Sequence, residues 1–393
     1  MGVRILVLVV LALVAFVPRH AVNPGEGSRY VPIAQKCATP ATTVVAQPGW
    51  AQLAQGAHLV WGLSRGEGIT VAVVDTGVDA SVPQLNGHVL PGKDVRTKGA
   101  AANTDCFGRG TYVAGIIAAQ PAKGVGLVGV APGVRILPVR ETTNEEDGSP
   151  AVMAAAIVAA VDGGAQIIAV TADPVLPSAA LQQAVAAAEM AGVVVVAVAG
   201  GTGRSGFVDE SLKELRYPAA YPTVLSVGGV TRTGQRSNEN GIARRVDLVA
   251  PGEEVIGVGT DGPGQVQGGG DAPAAAFVAG AAALVRAYYP ELDAAGVRAR
   301  LLATADVPES GQRGGLHGWG TVSPYAAVAA VLEPGVMKPS PKPVGDVVPP
   351  PPDTAPMRTG TIVASAAVVV AALGAVAYGV SVRGRARRWK PAQ

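Results

Sequence analysis

The sequence predicts an α/β fold in which a mostly parallel sheet carries helices on both faces. Short β-branched runs alternate with Ala-rich segments along the chain, the pattern of strands joined by helical crossovers. The first such run, VAVVDTGVD at residues 71–79, reaches Asp75 and then turns through Thr76 and Gly77. Because sites form at the carboxyl ends of parallel strands, we expect Asp75 at the centre of a pocket, although Asp before Thr-Gly is also an ordinary turn residue.

The other elements are predicted from the same alternation. A proline-broken lead-in at 21–51 is expected on the surface, and a short helix at 52–63 precedes the first strand. Further strands are predicted at 165–171, 193–198, 224–230 and 246–249, and within 127–140 after a turn. Further helices are predicted at 111–119, 151–162, 181–191, 270–289 and 293–303, the last with Asp293 as its N-cap.

Composition narrows the functional classes. A chain of 393 residues is long enough for one large domain with appendages. Only 15% of the residues are charged and the formal net charge is +2, which argues against a nucleic-acid surface or an acidic tail. No cluster of His, Cys or carboxylate residues has ligand spacing, so we predict no metal and no cofactor.

Both ends of the chain carry apolar segments. Residues 1–21 have the pattern of a signal segment, with Arg4 before an apolar run at 5–17 that is short for a membrane span; an uncleaved anchor is the alternative. Residues 360–382 are predicted to form a transmembrane helix, since 361–382 contain no charge and a basic tail follows at 383–393. The positive-inside rule places this tail in the cytoplasm and the main body outside the cell membrane.

Residues 333–358 separate the body from this span. Nine prolines in this segment favour polyproline II and prevent a packed core, so we interpret it as a stalk; a proline-motif ligand is the alternative. The chain has two cysteines, Cys37 and Cys106. In an exported protein an even count favours one disulfide, whereas two buried free thiols are the other interpretation.

Several stretches together resemble the subtilases, and more closely the mycosins, the membrane-anchored subtilases associated with type VII secretion. The resemblance covers nearly the whole chain and implies a subtilisin-like fold, with an N-terminal extension at 22–65 before a peptidase-like domain at 66–332. The stretches that carry it are VAVVDTGVD, the Cys-x-x-x-Gly-Thr turn before TYVAGIIAA, GVAPGVRILPVR, YPAAYPTVLSVGGV, VDLVAPGEEV, FVAGAAALVRAYYPEL and GWGTVSPYAAV.

Subtilase chemistry needs a Ser nucleophile, a His base, an Asp that orients the His and an Asn that stabilises the oxyanion. By motif, the Asp position is Asp75 and is retained. The His position is Arg109, in Gly-Arg-Gly-Thr; the Ser position is Ala272, in Gly-Asp-Ala; the Asn position is Gly201. A guanidinium cannot act as a general base at neutral pH, and alanine has no nucleophile.

Neighbouring residues are weak substitutes for the missing groups. Asp271 adjoins the Ser position, but acyl transfer from a carboxylate with Arg109 as its base lacks a proton path. Instead we predict a salt bridge between Asp75 and Arg109 that fills the cleft, with Asp271 sharing the same Arg. The remaining candidates are interpreted as loop, surface or packing residues. They are Ser205, Ser237, His58, His88 and His317.

The sequence therefore favours a non-catalytic mycosin-like protein. The resemblance implies a structural or regulatory role in type VII secretion, with the secretion membrane complex as partner. One alternative is a serine endopeptidase active in that system. Another is a binding module that holds an extended peptide in the groove by strand addition without cleaving it.

Overall fold

The computed structural model describes residues 37–143, 149–172, 175–200, 216–237, 245–307, 314–332 and 373–386. Several sequence predictions lie outside these residues: the signal segment, the stalk, Gly201 and Ser205. The described part of the predicted span is helical from 373 and continues to 386, and it belongs to a separate unit from the body. Among the described residues, no helix combines the length and the apolar character that a membrane crossing requires.

A parallel sheet is the middle layer of the body, as predicted. The strands are β1 Thr70–Asp75, β2 Lys93–Asp94, β3 Arg135–Arg140, β4 Ile167–Val170, β5 Val194–Val198, β6 Leu225–Val230, β7 Leu248–Pro251, β8 Val255–Val258 and β9 Gln265–Gly268. The order in the sheet is β2-β3-β1-β4-β5-β6-β7, and every neighbouring pair is parallel. A separate antiparallel hairpin, β8-β9, was not predicted.

Helices cover both faces of this sheet, which confirms the predicted layers. Alternate residues of β1 point to opposite faces: Val71 and Val73 join one core, and Ala72 and Val74 join the other. The helices of the body are α1 Trp50–Gln55, α2 Arg109–Ala118, α3 Pro150–Asp162, α4 Ala179–Met190, α5 Asp271–Tyr288, α6 Ala294–Ala303 and α7 Pro324–Ala329. The first core contains α2 and α5, and the second contains α3 and α4.

One predicted helix is wrong in extent. The segment expected to be a single helix at 52–63 is divided by Gly56, which has a φ of 58°. This left-handed conformation ends α1 and starts a 3-10 turn at Ala57–Val60. The predicted N-cap of α6 is confirmed, because the Asp293 side chain accepts a hydrogen bond from the Gly296 amide.

The predicted disulfide joins Cys37 to Cys106 in the structure. It lies at the start of a segment that we call the strap, residues 37–48, which runs over the surface as predicted for the lead-in. Backbone hydrogen bonds hold the strap against the hairpin region: Gly264 N–H donates to Ala41 O, and Gln265 N–H donates to Thr43 O. The disulfide therefore secures one end of a segment that is otherwise held mainly by its backbone.

Glycines allow this close contact. Cβ atoms added at Gly126, Gly259 or Gly262 would overlap atoms of the strap, at Gln47 or Ala41. Gly126 lies closest, against the carbonyl group of Gln47, and its amide donates to Val45 O. The strap can therefore lie in its place only because these side chains are absent.

We expect Gly126→Ala to lower the free energy of unfolding by about 1–3 kcal/mol, because the new methyl group would push the strap from its seat. Gly62→Ala is the matched control, since no atom lies within 4 Å of a Cβ built there. Thermal or urea unfolding of both variants measures the effect. Equal stability of the two variants would contradict the tight contact.

Candidate functional site

Asp75 is the last residue of β1 and is 0% exposed. Its Oδ1 accepts hydrogen bonds from Arg109 Nε at 2.8 Å and from the Thr76 amide at 2.7 Å. Its Oδ2 accepts one from Thr171 Oγ1 at 2.5 Å. The carboxylate is thus fully enclosed by protein donors, and the predicted Asp75–Arg109 ion pair is confirmed.

Arg109 is positioned by the start of α2. It is the first residue of that helix and is only 4% exposed. The next residue, Gly110, donates its amide to Thr76 Oγ1 at 3.0 Å, and a Cβ there would overlap the carbonyl oxygen of Gly77. The helix end can therefore approach the turn after β1 closely enough for Arg109 to reach Asp75.

Asp105 fixes the same helix end from the other side. Its Oδ1 accepts from the Phe107 and Gly108 amides, and its Oδ2 accepts from the amide and hydroxyl of Thr111. Burial raises the pKa of the Asp105 carboxyl, while the hydrogen bonds from Thr111 and Gly108 act in the opposite direction. Cys106 follows directly, so the disulfide and this capping network hold one turn.

A second buried carboxylate, Asp271, begins α5 and is 2% exposed. It accepts hydrogen bonds from the Gly200 amide at 2.9 Å and from the Gly229 amide at 2.6 Å. Its cation is Arg236, whose Nη1 lies 3.4 Å from Asp271 Oδ1. The prediction that Asp271 shares Arg109 is therefore wrong, because a separate guanidinium neutralises it.

Arg236 comes from the turn after β6, where it forms a bridge with Val230. Its guanidinium lies over Gly228, and a Cβ at that position would overlap it. Arg236 Nη1 also donates to Gly229 O at 2.8 Å. The bare glycine backbone of β6 thus provides the space in which a cation reaches the first residue of α5.

Ala272 is the second residue of α5 and packs, partly buried, against the first core. Its methyl group offers neither a proton nor a lone pair. The first turn of α5 therefore carries no hydroxyl at residue 272, next to Asp271. Pro273 follows and removes one more amide from the first turn of α5.

The other candidate residues lie apart from Asp75. His88 Nδ1 lies 3.2 Å from Val134 O, and His317 Nε2 lies 2.8 Å from Gly234 O. His58 packs edge-on against Trp61. Ser237 is described but 3% exposed, with its amide bonded to Gly229 O. The interpretation of these residues as surface or packing groups agrees with the contacts.

Sequence reasoning missed two members of the site, Thr171 and Arg236. Thr171 directly follows β4, which is paired with β1 in the register Val74 to Val170. The argument that placed Asp75 at the carboxyl edge of the sheet would also have placed Thr171 there. For Arg236 the sequence offers no comparable signal. Its partner Asp271 lies 35 residues further along the chain, and the glycine that makes room for its guanidinium, Gly228, is in β6.

Chemically, the Asp75 carboxylate is the anion of a buried ion pair that protein groups enclose. Its described partners are a guanidinium, a hydroxyl and an amide, and Thr171 is 1% exposed, so no substrate can reach that hydroxyl. Within the described ranges, no three His, Cys or carboxylate residues are grouped as metal ligands.

Comparison with known proteins identifies close relatives. The model of the Subtilase family of S8 peptidases matches residues 66–320. Mycosin-3 of Mycobacterium tuberculosis is 36% identical over 83% of this chain and 82% of its own length. Mycosin-1 of the same organism is 32% identical, over 87% of this chain and 88% of its own.

Solved structures give the same result. The crystal structure of MycP1 from Mycobacterium smegmatis has a TM-score of 0.66 and 30% identity, over 80% of this chain and 93% of that one. The structure of the MycP3 protease from the type VII (ESX-3) secretion system has a TM-score of 0.63 and 30% identity, over 80% of this chain and 100% of that one. At this identity and coverage, the likeness extends to the body as a whole.

We expect Arg109→Met to lower the free energy of unfolding by about 3–5 kcal/mol, because it leaves the Asp75 carboxylate buried without its cation. Arg298→Met is the matched control: it breaks the pair with Glu189, whose side chain is 27% exposed, and should cost about 1 kcal/mol. Urea unfolding compares the two. A loss at Arg109 no larger than at Arg298 would mean that the ion pair does not stabilise the cleft.

Proposed function

The chain belongs to the subtilase family and to its mycosin branch, and from this premise we propose that it is a pseudoprotease with a structural or regulatory role in type VII secretion. The single observation that carries this proposal is the buried ion pair between Asp75 and Arg109. In a subtilase the corresponding carboxylate orients a histidine base. Here we assign the position of that base to Arg109.

A guanidinium at this position opposes catalysis in two ways. Its pKa lies far above neutrality, so it cannot accept a proton from a nucleophile. The Arg109 Nε–H group also donates a hydrogen bond to Asp75 Oδ1, with 2.8 Å between the nitrogen and the oxygen. A histidine supplied from elsewhere would therefore find the carboxylate already engaged.

The same assignment by motif leaves the positions of the nucleophile and of the oxyanion stabiliser without functional side chains. We place the serine position at Ala272, beside a carboxylate that is fixed by two backbone amides. Gly201 takes the position of the oxyanion asparagine and brings no side-chain donor. Loss of one such donor alone typically costs about 10²–10³ in turnover.

The role in secretion rests on the relatives. MycP1 is described as an essential component of the type VII (ESX-1) secretion system, and MycP3 belongs to ESX-3. This chain is similar to both across its body, so we assign it to the type VII secretion membrane complex as a partner. A component without catalytic groups acts there through its surface.

We further propose that the body is held outside the membrane by a single C-terminal span at 360–382. The described part of this span, 373–382, lies in a helix that continues to 386, and its large apolar side chains are exposed, as expected of a segment surrounded by lipid. These side chains are Leu373, Val376, Tyr378, Val380 and Val382. Arg383 and Arg385 follow on the side assigned to the cytoplasm.

A non-cleaving peptide-binding module is the second candidate. Strand addition uses backbone groups and needs neither Arg109 nor Ala272. No described contact favours it over a scaffold, so it enters as an outcome of the experiment below. The endopeptidase alternative would require a nucleophile other than Ala272 and a base other than Arg109.

We expect the full chain to hydrolyse no member of a broad peptide library above the buffer rate. The variant Arg109→His with Ala272→Ser is measured alongside, and adding Gly201→Asn to it should raise any recovered rate by about 10²–10³. Mass spectrometry of the library identifies the peptides that are cleaved and the intact peptides that stay bound to the protein. Hydrolysis by the unaltered chain would overturn the pseudoprotease proposal, and peptide retention without cleavage would favour the binding module.

We expect the full chain to fractionate with membranes and to resist extraction by high salt or alkaline carbonate, whereas a chain ending at residue 358 should be released. An external protease should degrade the body of the intact chain and spare an epitope placed after residue 393. Release of the intact chain by carbonate would contradict the span, and degradation of the epitope would contradict the orientation.

A further inference from the structure

The strap is attached to the body through alternate residues. The amide of Ala41 donates to Thr260 O and its carbonyl accepts from Gly264. The carbonyl of Thr43 accepts from Gln265. Val45 donates to Gln265 Oε1 and accepts from Gly126. The odd-numbered residues thus direct their polar backbone groups towards the body, as one edge of an extended chain does.

The even-numbered residues direct theirs away from it. In the part of the chain that the structure describes, no hydrogen bond involves the backbone groups of Thr42, Val44 or Ala46. All three residues are exposed, and Val44 retains 45% of its accessible surface. The strap therefore presents a row of unpaired amides and carbonyls to the solvent beside β9.

This edge lacks the usual protection against pairing. Natural sheet edges are commonly blocked by charged side chains, internal proline or bulges. Residues 41–47, with the sequence ATTVVAQ, contain no charge and no proline, and four of the seven are β-branched. Prolines stand only at the two ends, Pro40 and Pro48, so they limit the length of the edge without blocking it.

We propose that residues 41–47 form a self-pairing edge, at which the straps of two copies of this chain meet as antiparallel strands centred on Val44. The pairing would be isologous, so each strap gives the other the donors and acceptors that it leaves open. Thr42 would then lie opposite Ala46 of the second copy, and Thr43 opposite Val45.

The chemistry of the edge favours a second copy as its occupant. Antiparallel self-pairing places no like charges opposite one another, because the segment has none. The strap is also already fixed at Cys37, so ordering it costs little on association. Seven residues make a small interface, which implies weak association in dilute solution. Tethering both copies to one membrane, as proposed above, would raise their effective concentration.

The test uses variants of the full chain in membranes that each carry one added cysteine, with the Cys37–Cys106 disulfide left in place. At the two-fold centre, Val44→Cys should form an intermolecular disulfide on mild oxidation, because Cα atoms of paired antiparallel residues lie about 5.5 Å apart. Leu59→Cys is the control: it is also exposed, at 62%, but lies outside the strap. We expect about tenfold more cross-linked dimer for Val44→Cys on a non-reducing gel.

A second variant distinguishes specific pairing of two straps from cross-linking by random collision of two chains. Adding Thr42→Lys to Val44→Cys puts a charge on an edge residue without changing a contact with the body, and should reduce the dimer to the level of the Leu59→Cys control. Equal cross-linking of Val44→Cys and Leu59→Cys would overturn the proposal. So would a dimer that Thr42→Lys leaves unchanged, or a Val44→Cys product that contains a different protein.

Discussion

Burial of a carboxylate costs free energy unless hydrogen-bond donors and a cation surround it, and Asp75, which is fully buried, imposes this constraint on the site. Three donors from three segments converge on it: the Thr76 amide, the Thr171 hydroxyl and the Arg109 guanidinium. Arg109 can serve only if the end of α2 lies against the turn after β1. The close approach at Gly110, the Asp105 cap and the disulfide at Cys106 each act on that helix end. The disulfide thus links the strap at Cys37 to the turn that leads into Arg109.

The same principle explains the second carboxylate. Asp271 sits at the positive end of the long helix α5, where a negative charge is favoured, and it is also enclosed by amides and by Arg236. Each of these two carboxylates thus has its own cation, whereas the buried Asp105 is held by amides and a hydroxyl. Paired charges that are hydrogen-bonded on both sides do not easily exchange partners, since any rearrangement would leave a charge buried and alone.

The sequence predicted those features that depend on local pattern. Alternating strands and helices and Asp75 at a strand end followed from short motifs and their order, whereas the pairing of Arg109 with Asp75 followed from the resemblance to the subtilases. The helix at 52–63 was overextended because only a left-handed φ at Gly56 breaks it. The hairpin β8-β9 was missed because QVQG in β9 carries no β-branched run. Arg236 was missed because its role depends on glycines in β6 and on a partner in α5.

The fold does not depend on the side chains at the positions assigned to the base and the nucleophile. The two cores are built from strand residues such as Val73 and helix residues such as Phe277, and neither depends on the identity of residue 109 or 272. What the cleft does require is charge balance around Asp75. A histidine can balance that carboxylate and also exchange protons, whereas an arginine balances it permanently. Under the proposed assignment of Arg109 to the base position, the charge balance at Asp75 is kept and proton transfer by residue 109 is lost, so the proposed role in secretion falls to the surfaces of the body.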